Sequence, residues 1–236
     1  MDISPDESIF LHIGPVALNA TIVYTWITMA VILAISWLGT RKLTSESKMS
    51  RWQNLLEVLI LGMKNQIRSI SHQEPDKFLP FIGTLFLFIA VSIIMSIIPV
   101  YQPPTGSLST TAALAICVFV AVPVYGIAKH GIIGYLKYYL KPTPFMLPFN
   151  VLGEISRTIA LAVRLFGNVM SGSIIVAILL SIAPLFFPIL MQALGLLTGL
   201  IQAYIFAILS VVYIASATRV HEEKEQKFEE NRKGKE

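Results

Sequence analysis

Charge is what this sequence has least of. Asp, Glu, Lys and Arg make up only 14% of its 236 residues, against about 25% in a typical water-soluble domain. Hydrophobic residues reach 55% and the mean hydropathy is +0.70. An ordinary soluble domain is excluded, and no nucleic-acid partner is expected. The composition suits a lipid solvent and one bundle rather than two domains. Cysteine is almost missing. The lone Cys117 can form no internal disulfide and belongs to no CxxC pair; it reads as a small buried apolar residue. The four histidines, His12, His72, His130 and His221, fall at or beyond the edges of the apolar runs. His221–Glu222 lacks the second histidine of a zinc-protease HExxH. With no converging nucleophile, base or metal ligands, a membrane-embedded enzyme is disfavoured, and no cofactor is expected. Lys and Arg are absent from residues 1–40, where Asp2, Asp6 and Glu7 stand instead. That is the wrong sign for a cleavable signal, so the first apolar stretch is expected to remain as an anchor.

The long uncharged runs define the expected spans. A helix needs about 20 apolar residues to cross about 30 Å of hydrocarbon. After an external tail (1–16), a first span is expected over 17–39. A second (78–99) and a third (107–128) lie in an uncharged run split by Pro- and Gly-rich residues 99–106, which read as a turn. A last pair, 146–182 and 185–218, forms a helical hairpin flanked at its turn by Pro184 and Pro188, and 219–236 is a charged tail. The 37 residues from Met146 to Ile182 would measure about 55 Å as a helix, so the hairpin is expected to be strongly tilted. The fold class is thus an all-α integral membrane protein with five membrane-crossing helices.

Between the first two spans, Trp52, Leu55, Leu56, Leu59, Met63, Ile67 and Ile70 recur at helical spacing, opposite Glu57, Lys64 and Arg68. Ser50 and Gln53 fit a capping box. Residues 50–72 therefore read as an amphipathic helix on the cytoplasmic membrane surface. Arg41, Lys42, Lys48 and Arg51 follow the first span and Lys129, Lys137 and Lys141 the third, and the tail is rich in cations, whereas the 99–106 and 183–188 turns have none. The positive-inside rule then puts the N-terminus outside and the C-terminus in the cytoplasm.

One intramembrane charge stands out. Arg164 is followed by residues 165–218 without a charge, and an arginine in a span is costly and functional by default. Arg157 lies two turns nearer the cytoplasm and can snorkel; Glu154 can pair with it at i,i+3 spacing. Arg157, Arg164, Asn168 and Ser171 form one polar stripe. On the opposing helix Gly195, Thr198 and Gln202 share a face, and a reversal near Ala183–Pro184 brings Gln202 level with Arg164. Gly195-x-x-x-Gly199 reads as a helix-packing motif, and Gly167 is a further candidate for hairpin packing. No carboxylate lies at the depth of Arg164, so its counter-charge is expected from another chain or from the transported species. A guanidinium keeps its proton in proteins, so it relays none itself; as a fixed cation it would hold a passing carboxylate ionised.

The run Arg164-Leu-Phe-Gly-Asn168 inside SRTIALAVRLFGNVMSG, followed by LIQAYIFAILSVVYIASA, resembles subunit a of the F-type ATP synthase, over about residues 17–218. The resemblance implies the static half of a rotary membrane motor. Its hairpin would press on a ring of c subunits, each with an essential carboxylate, served by two offset half-channels for protons or sodium ions. The peripheral-stalk b subunits and the rest of the complex are the further partners implied, in a bacterial or archaeal inner membrane. The family's essential arginine falls on Arg164, its asparagine on Asn168 and its glutamine on Gln202. Glu154, Arg157 and Asn150 fall to the cytoplasmic half-channel; Ser171, Ser173, Gln192 and Thr198 are the candidate lining of the outer one. Many relatives have a titratable residue where this chain has Ser173, and some have His or an acid where it has Gly195, a departure that resembles the sodium-linked branch. The alternative is a secondary transporter binding a small anion at Arg164. It would call for internal repeats, which the sequence does not display. A purely structural anchor would leave Arg164 unexplained.

Overall fold

The computed structural model describes residues 9–13, 16–40, 51–71, 73–98, 101–139, 146–182 and 187–219. The expected capping residue Ser50, the flanking cations at 41–48, His72, Lys141, the reversal at 183–184 and the charged tail beyond 219 lie outside them. Two short strands come first, β1 (Ile9–Ile13) and β2 (Val16–Asn19), paired antiparallel with Ile13 opposite Val16. Everything larger is helical: α1 (Ala20–Thr40), α2 (Arg51–Ser71), α3 (Leu79–Met95), α4 (Leu108–Tyr139), α5 (Met146–Ile182) and α6 (Phe187–Arg219). Four of these, α1, α4, α5 and α6, have windows long and apolar enough to cross a membrane. α3 is shorter at 17 residues, about 26 Å. The arrangement is that of a multi-pass membrane protein.

The bounds differ from the sequence reading where turns intervene. α1 starts at Ala20 rather than 17, because 16–19 are drawn into β2. α3 stops at Met95, where Ser96 caps it and donates its hydroxyl to Ile93 O at 2.6 Å. α4 runs beyond the expected end at Ala128, but Gly131 breaks it with φ 71° and ψ 165°, a conformation only glycine adopts without strain.

α6 is the hub, packing on α2, α3, α4 and α5. One apolar cluster joins α3, α4, α5 and α6 through Ile89, Val118, Leu161, Leu165 and Phe206; a second joins α2, α3, α4 and α6 through Ile67, Phe78, Val122 and Ile214. In lipid such contacts hold by close packing rather than by removal from water. α2 turns its Ile67 side inward and leaves Glu57 and Arg68 exposed, with Val58 and Leu61 beside them; its Lys64 pairs with Asp76 at 2.6 Å. Cys117, expected to be buried, is exposed on α4, as Ile116 and Val120 are, because the α4 core face is carried by Ala115, Val118 and Val122.

The 101–106 segment folds into the bundle. Pro104, Thr105 and Gly106 are buried, and a Cβ on Gly106 would lie 3.5 Å from Val169 of α5. A chain of hydroxyls serves its polar groups. Thr28 Oγ1 and Tyr101 OH lie 2.6 Å apart and Ser92 Oγ and Thr105 Oγ1 3.4 Å apart, with Tyr101 also bonded to Ser92. Burial pushes the Tyr101 phenol above its usual range, against the opposing pull of the Thr28 and Ser92 bonds. The phenol therefore stays protonated at physiological pH.

Gly199 is where α6 meets α3. A Cβ there would fall 2.8 Å from Ile93 Cγ2, and Ile93 is buried, so it cannot swing aside. Gly199→Val is expected to destabilise this interface by about 1–3 kcal/mol, lowering the unfolding temperature of the detergent-solubilised protein. Gly195→Ala, whose Cβ meets nothing within 4 Å, is expected to leave it unchanged.

Candidate functional site

The rotation of α5 is set by Leu161, Ala162 and Leu165, all buried against the bundle. That fixes the opposite side outward, and Arg164 is on it, exposed beside Ala160, Val163 and Gly167. Only 6% of the apolar window of α5 is buried within the chain, against 39% for α6. A helix this bare needs lipid or another polypeptide against it. Among the described residues, none forms an ion pair or hydrogen bond with the Arg164 guanidinium. Gln202 is buried at 6% exposure, beside Ala203 and Phe206 in the apolar cluster. It and Arg164 therefore do not present to the same surface, and no hydrogen bond joins them among the described residues.

Beyond Arg164, towards the α5–α6 turn, the two helices and the end of α3 enclose an open cavity of about 630 Å³. Its lining includes Ser96, Tyr101, Asn168, Ser173, Gln192 and Gly195, and no acid, base or histidine. Asn168 Nδ2 donates to Thr198 O at 3.3 Å, bridging α5 and α6. Asn168 stands one turn from Arg164, so this bond is the floor of the cavity on the arginine side. Ser173 donates its hydroxyl to Val169 O at 3.0 Å, which leaves its oxygen lone pairs to accept from water or to face a cation.

Two residues of the expected outer lining, Ser171 and Thr198, are not among those that line this cavity. Ser171 shares the exposed side of α5 with Arg164, and the Thr198 hydroxyl turns back to Leu194 O and Gly195 O, while its carbonyl accepts from Asn168. The hairpin-packing glycines are corrected too. Gly167 and Gly195 have no neighbour within 4 Å of an added Cβ, and Gly199 packs on α3 rather than on α5. Glycine spacing reports a close approach without saying to which helix.

On the other side of Arg164, a narrow cleft is lined by Glu154, Arg157, Thr158 and Tyr213. The Arg157 guanidinium lies over the Tyr213 ring, 5.8 Å from its centroid, so it reaches to α6. Asn150 is exposed and outside this cleft. Sequence reasoning missed Tyr101, Ser96 and Tyr213. Each reaches its place through a tertiary contact that no local pattern announces. Among the described residues there is no cluster of three or more potential metal ligands.

The family model described as ATP synthase A chain matches residues 22–215. The chain is 61% identical over 220 residues to ATP synthase subunit a 2 of Acaryochloris marina, covering 93% of this chain and 94% of that one. It is 60% identical over 219 residues to ATP synthase subunit a of Albidiferax ferrireducens, covering 93% and 95%. It is 57% identical over 222 residues to ATP synthase subunit a 1 of Chlorobaculum parvum, covering 94% and 98%. With a match this long and a multi-helix apolar fold, the chain belongs to the family of subunit a of the F-type ATP synthase, the non-catalytic, ion-translocating stator subunit of the membrane sector.

Proposed function

We propose that this chain carries a cation, a proton or a sodium ion, through two offset half-channels to and from a carboxylate on a rotating c-ring, with Arg164 as the charge barrier between them. The observation that carries this is the Arg164 guanidinium, without a counter-charge among the described residues, on the bare side of α5. Ala160 and Gly167 flank it there, so a partner helix can come close. A ring carboxylate arriving at that face supplies the missing charge. The arginine holds it ionised by favouring the charged form and thereby strips its ion.

The cavity beyond Asn168 is the outer half-channel and the Glu154–Arg157–Tyr213 cleft the start of the cytoplasmic one. α3 is the fifth span, at the short end of the range that crosses a bilayer; the N-terminus is outside and the C-terminus inside. Lipid and the peripheral-stalk b subunits cover the bare side of α1, where Trp26, Leu33, Trp37 and Leu38 are exposed. A cavity lined by no carboxylate, histidine, lysine or arginine among the described residues suits a hydrated cation better than a side-chain proton relay, which supports the sodium-linked branch.

The test is transport by the whole complex in vesicles. ATP is expected to drive sodium uptake, or acidification if the proton is the ion, and removal of sodium distinguishes the two. Movement of neither cation would overturn the proposal. Gln202→Leu is expected to slow coupled ATP synthesis less than loss of the arginine does, because Gln202 is a buried neutral group that tunes the passage without supplying its charge. An equal or larger loss would count against that role.

A further inference from the structure

The cavity is bracketed by two amide-to-carbonyl bonds, and only one of them touches a residue near Arg164. The other is at the far end. Gln192 Nε2 of α6 donates to Ser96 O at 2.8 Å. Ser96 caps α3, and the last carbonyls of a helix have no partner within it. Carbonyls around Ser96 find local donors: Ile97 N bonds to Ile94 O, Ile98 N to Met95 O and Tyr101 N to Ile98 O. Ser96 O is met by Gln192, from another helix. Both residues line the cavity.

Gln192 and Gly199 lie two turns apart on the same side of α6, and both meet the last turn of α3, at Ser96 and Ile93. Between them Gly195 offers no side chain, and an added Cβ there would meet nothing within 4 Å. Beyond the apolar clusters that join α3 and α6, the last turn of α3 meets α6 at Gly199 and Gln192, with an open stretch between that the cavity occupies. Gly199 is a packing pin that steric contact maintains. Gln192 is a pin made by one hydrogen bond at the end of the cavity away from Arg164.

We infer that Gln192 is a positioning residue that sets the mouth of this cavity by tying α6 to the end of α3, and that ion entry depends on that bond. The inference rests on the reading of the cavity as the outer half-channel. When the bond is absent, Ser96 O is hydrated instead, α6 gains freedom to shift against α3, and the mouth samples narrower arrangements.

The test uses the assembled complex in membranes, with Cys117→Ser and a cysteine at Ser173 inside the cavity. A water-soluble, membrane-impermeant thiol reagent added from outside is expected to label it. Gln192→Leu is expected to slow that labelling about fivefold, the weight of one ordinary hydrogen bond. It is also expected to raise the ion concentration needed for half-maximal ATP synthesis, with the rate at saturating ion nearly kept. Equal labelling and an unchanged half-maximal concentration would overturn the role of Gln192. No labelling at Ser173 even with Gln192 present would instead overturn the reading of the cavity. Gln192→Asn, one methylene too short to span the contact, is expected to behave as the leucine variant and is read in its place should that variant fail to assemble.

Discussion

Replacing Arg164 by alanine is expected to abolish ion-driven ATP synthesis, by about 10²-fold or more, while the complex still assembles. The side chain is exposed, and no described residue bonds to it, so its loss leaves no buried partner stranded within the chain. Its anchor is separate: Leu161 and Leu165, both nearly inaccessible, keep α5 in place. On the proposed function, what disappears is the fixed positive charge that would make a ring carboxylate give up its ion. Without it the carboxylate would pass still loaded, and the proposed half-channels would no longer be kept apart. Arg164→Lys is expected to restore little, since an ammonium shifts its pKa readily in a low dielectric where a guanidinium does not. The measurement is ATP synthesis under an imposed ion gradient, beside the amount of assembled complex. Normal synthesis in the alanine variant would refute the role.

A leucine at Gly167 is expected to be almost as damaging for a different reason. Among the described residues, no packing neighbour lies within 4 Å of a Cβ added there, so the isolated fold accommodates the larger residue. The space belongs to whatever packs against the bare side of α5. If that is a ring helix, the leucine holds it away from Arg164, and a displacement of about 1 Å at a reacting group can cost about 10² in rate. Coupled transport should therefore collapse with the subunit folded and present in the membrane. The comparison with Gly199→Val is informative, because that change strikes a contact inside the chain and should reduce stability first. Full transport by the Gly167→Leu variant would mean that lipid, not a polypeptide, covers this side.

The sequence carried the long-range plan of the molecule because the plan is written in hydropathy. α5 has the expected bounds, 146–182, and α2 falls within one residue of its expected ends. Charge depletion picked out Arg164 without reference to any neighbour, since an arginine far from other charges in an apolar run is conspicuous by itself. Periodicity identifies which side of a helix is polar but not what that side meets. Thus periodicity does not separate Ser171 and Thr198, which are absent from the lining of the cavity, from Ser173, which is in it, and it gives no sign of the Gln192 partner 96 positions away. The Thr28–Tyr101 bond spans 73 positions, and nothing local marks either residue. The burial of Pro104–Gly106 was hidden for a similar reason. Proline and glycine signal a turn, but whether a turn stands in water or folds into the bundle is decided by the cavity it fills.

The central claim is that the mate of Arg164 is on another, moving polypeptide. A photoreactive residue in place of Val163, beside the arginine and 53% exposed on α5, reads this directly in the intact complex without adding bulk at Gly167. Irradiation is expected to join this chain to a c subunit, with the cross-link mapping near the carboxylate of the ring helix. A product containing only lipid, or a site at 163 open to water-soluble reagents in the assembled complex, would contradict the claim.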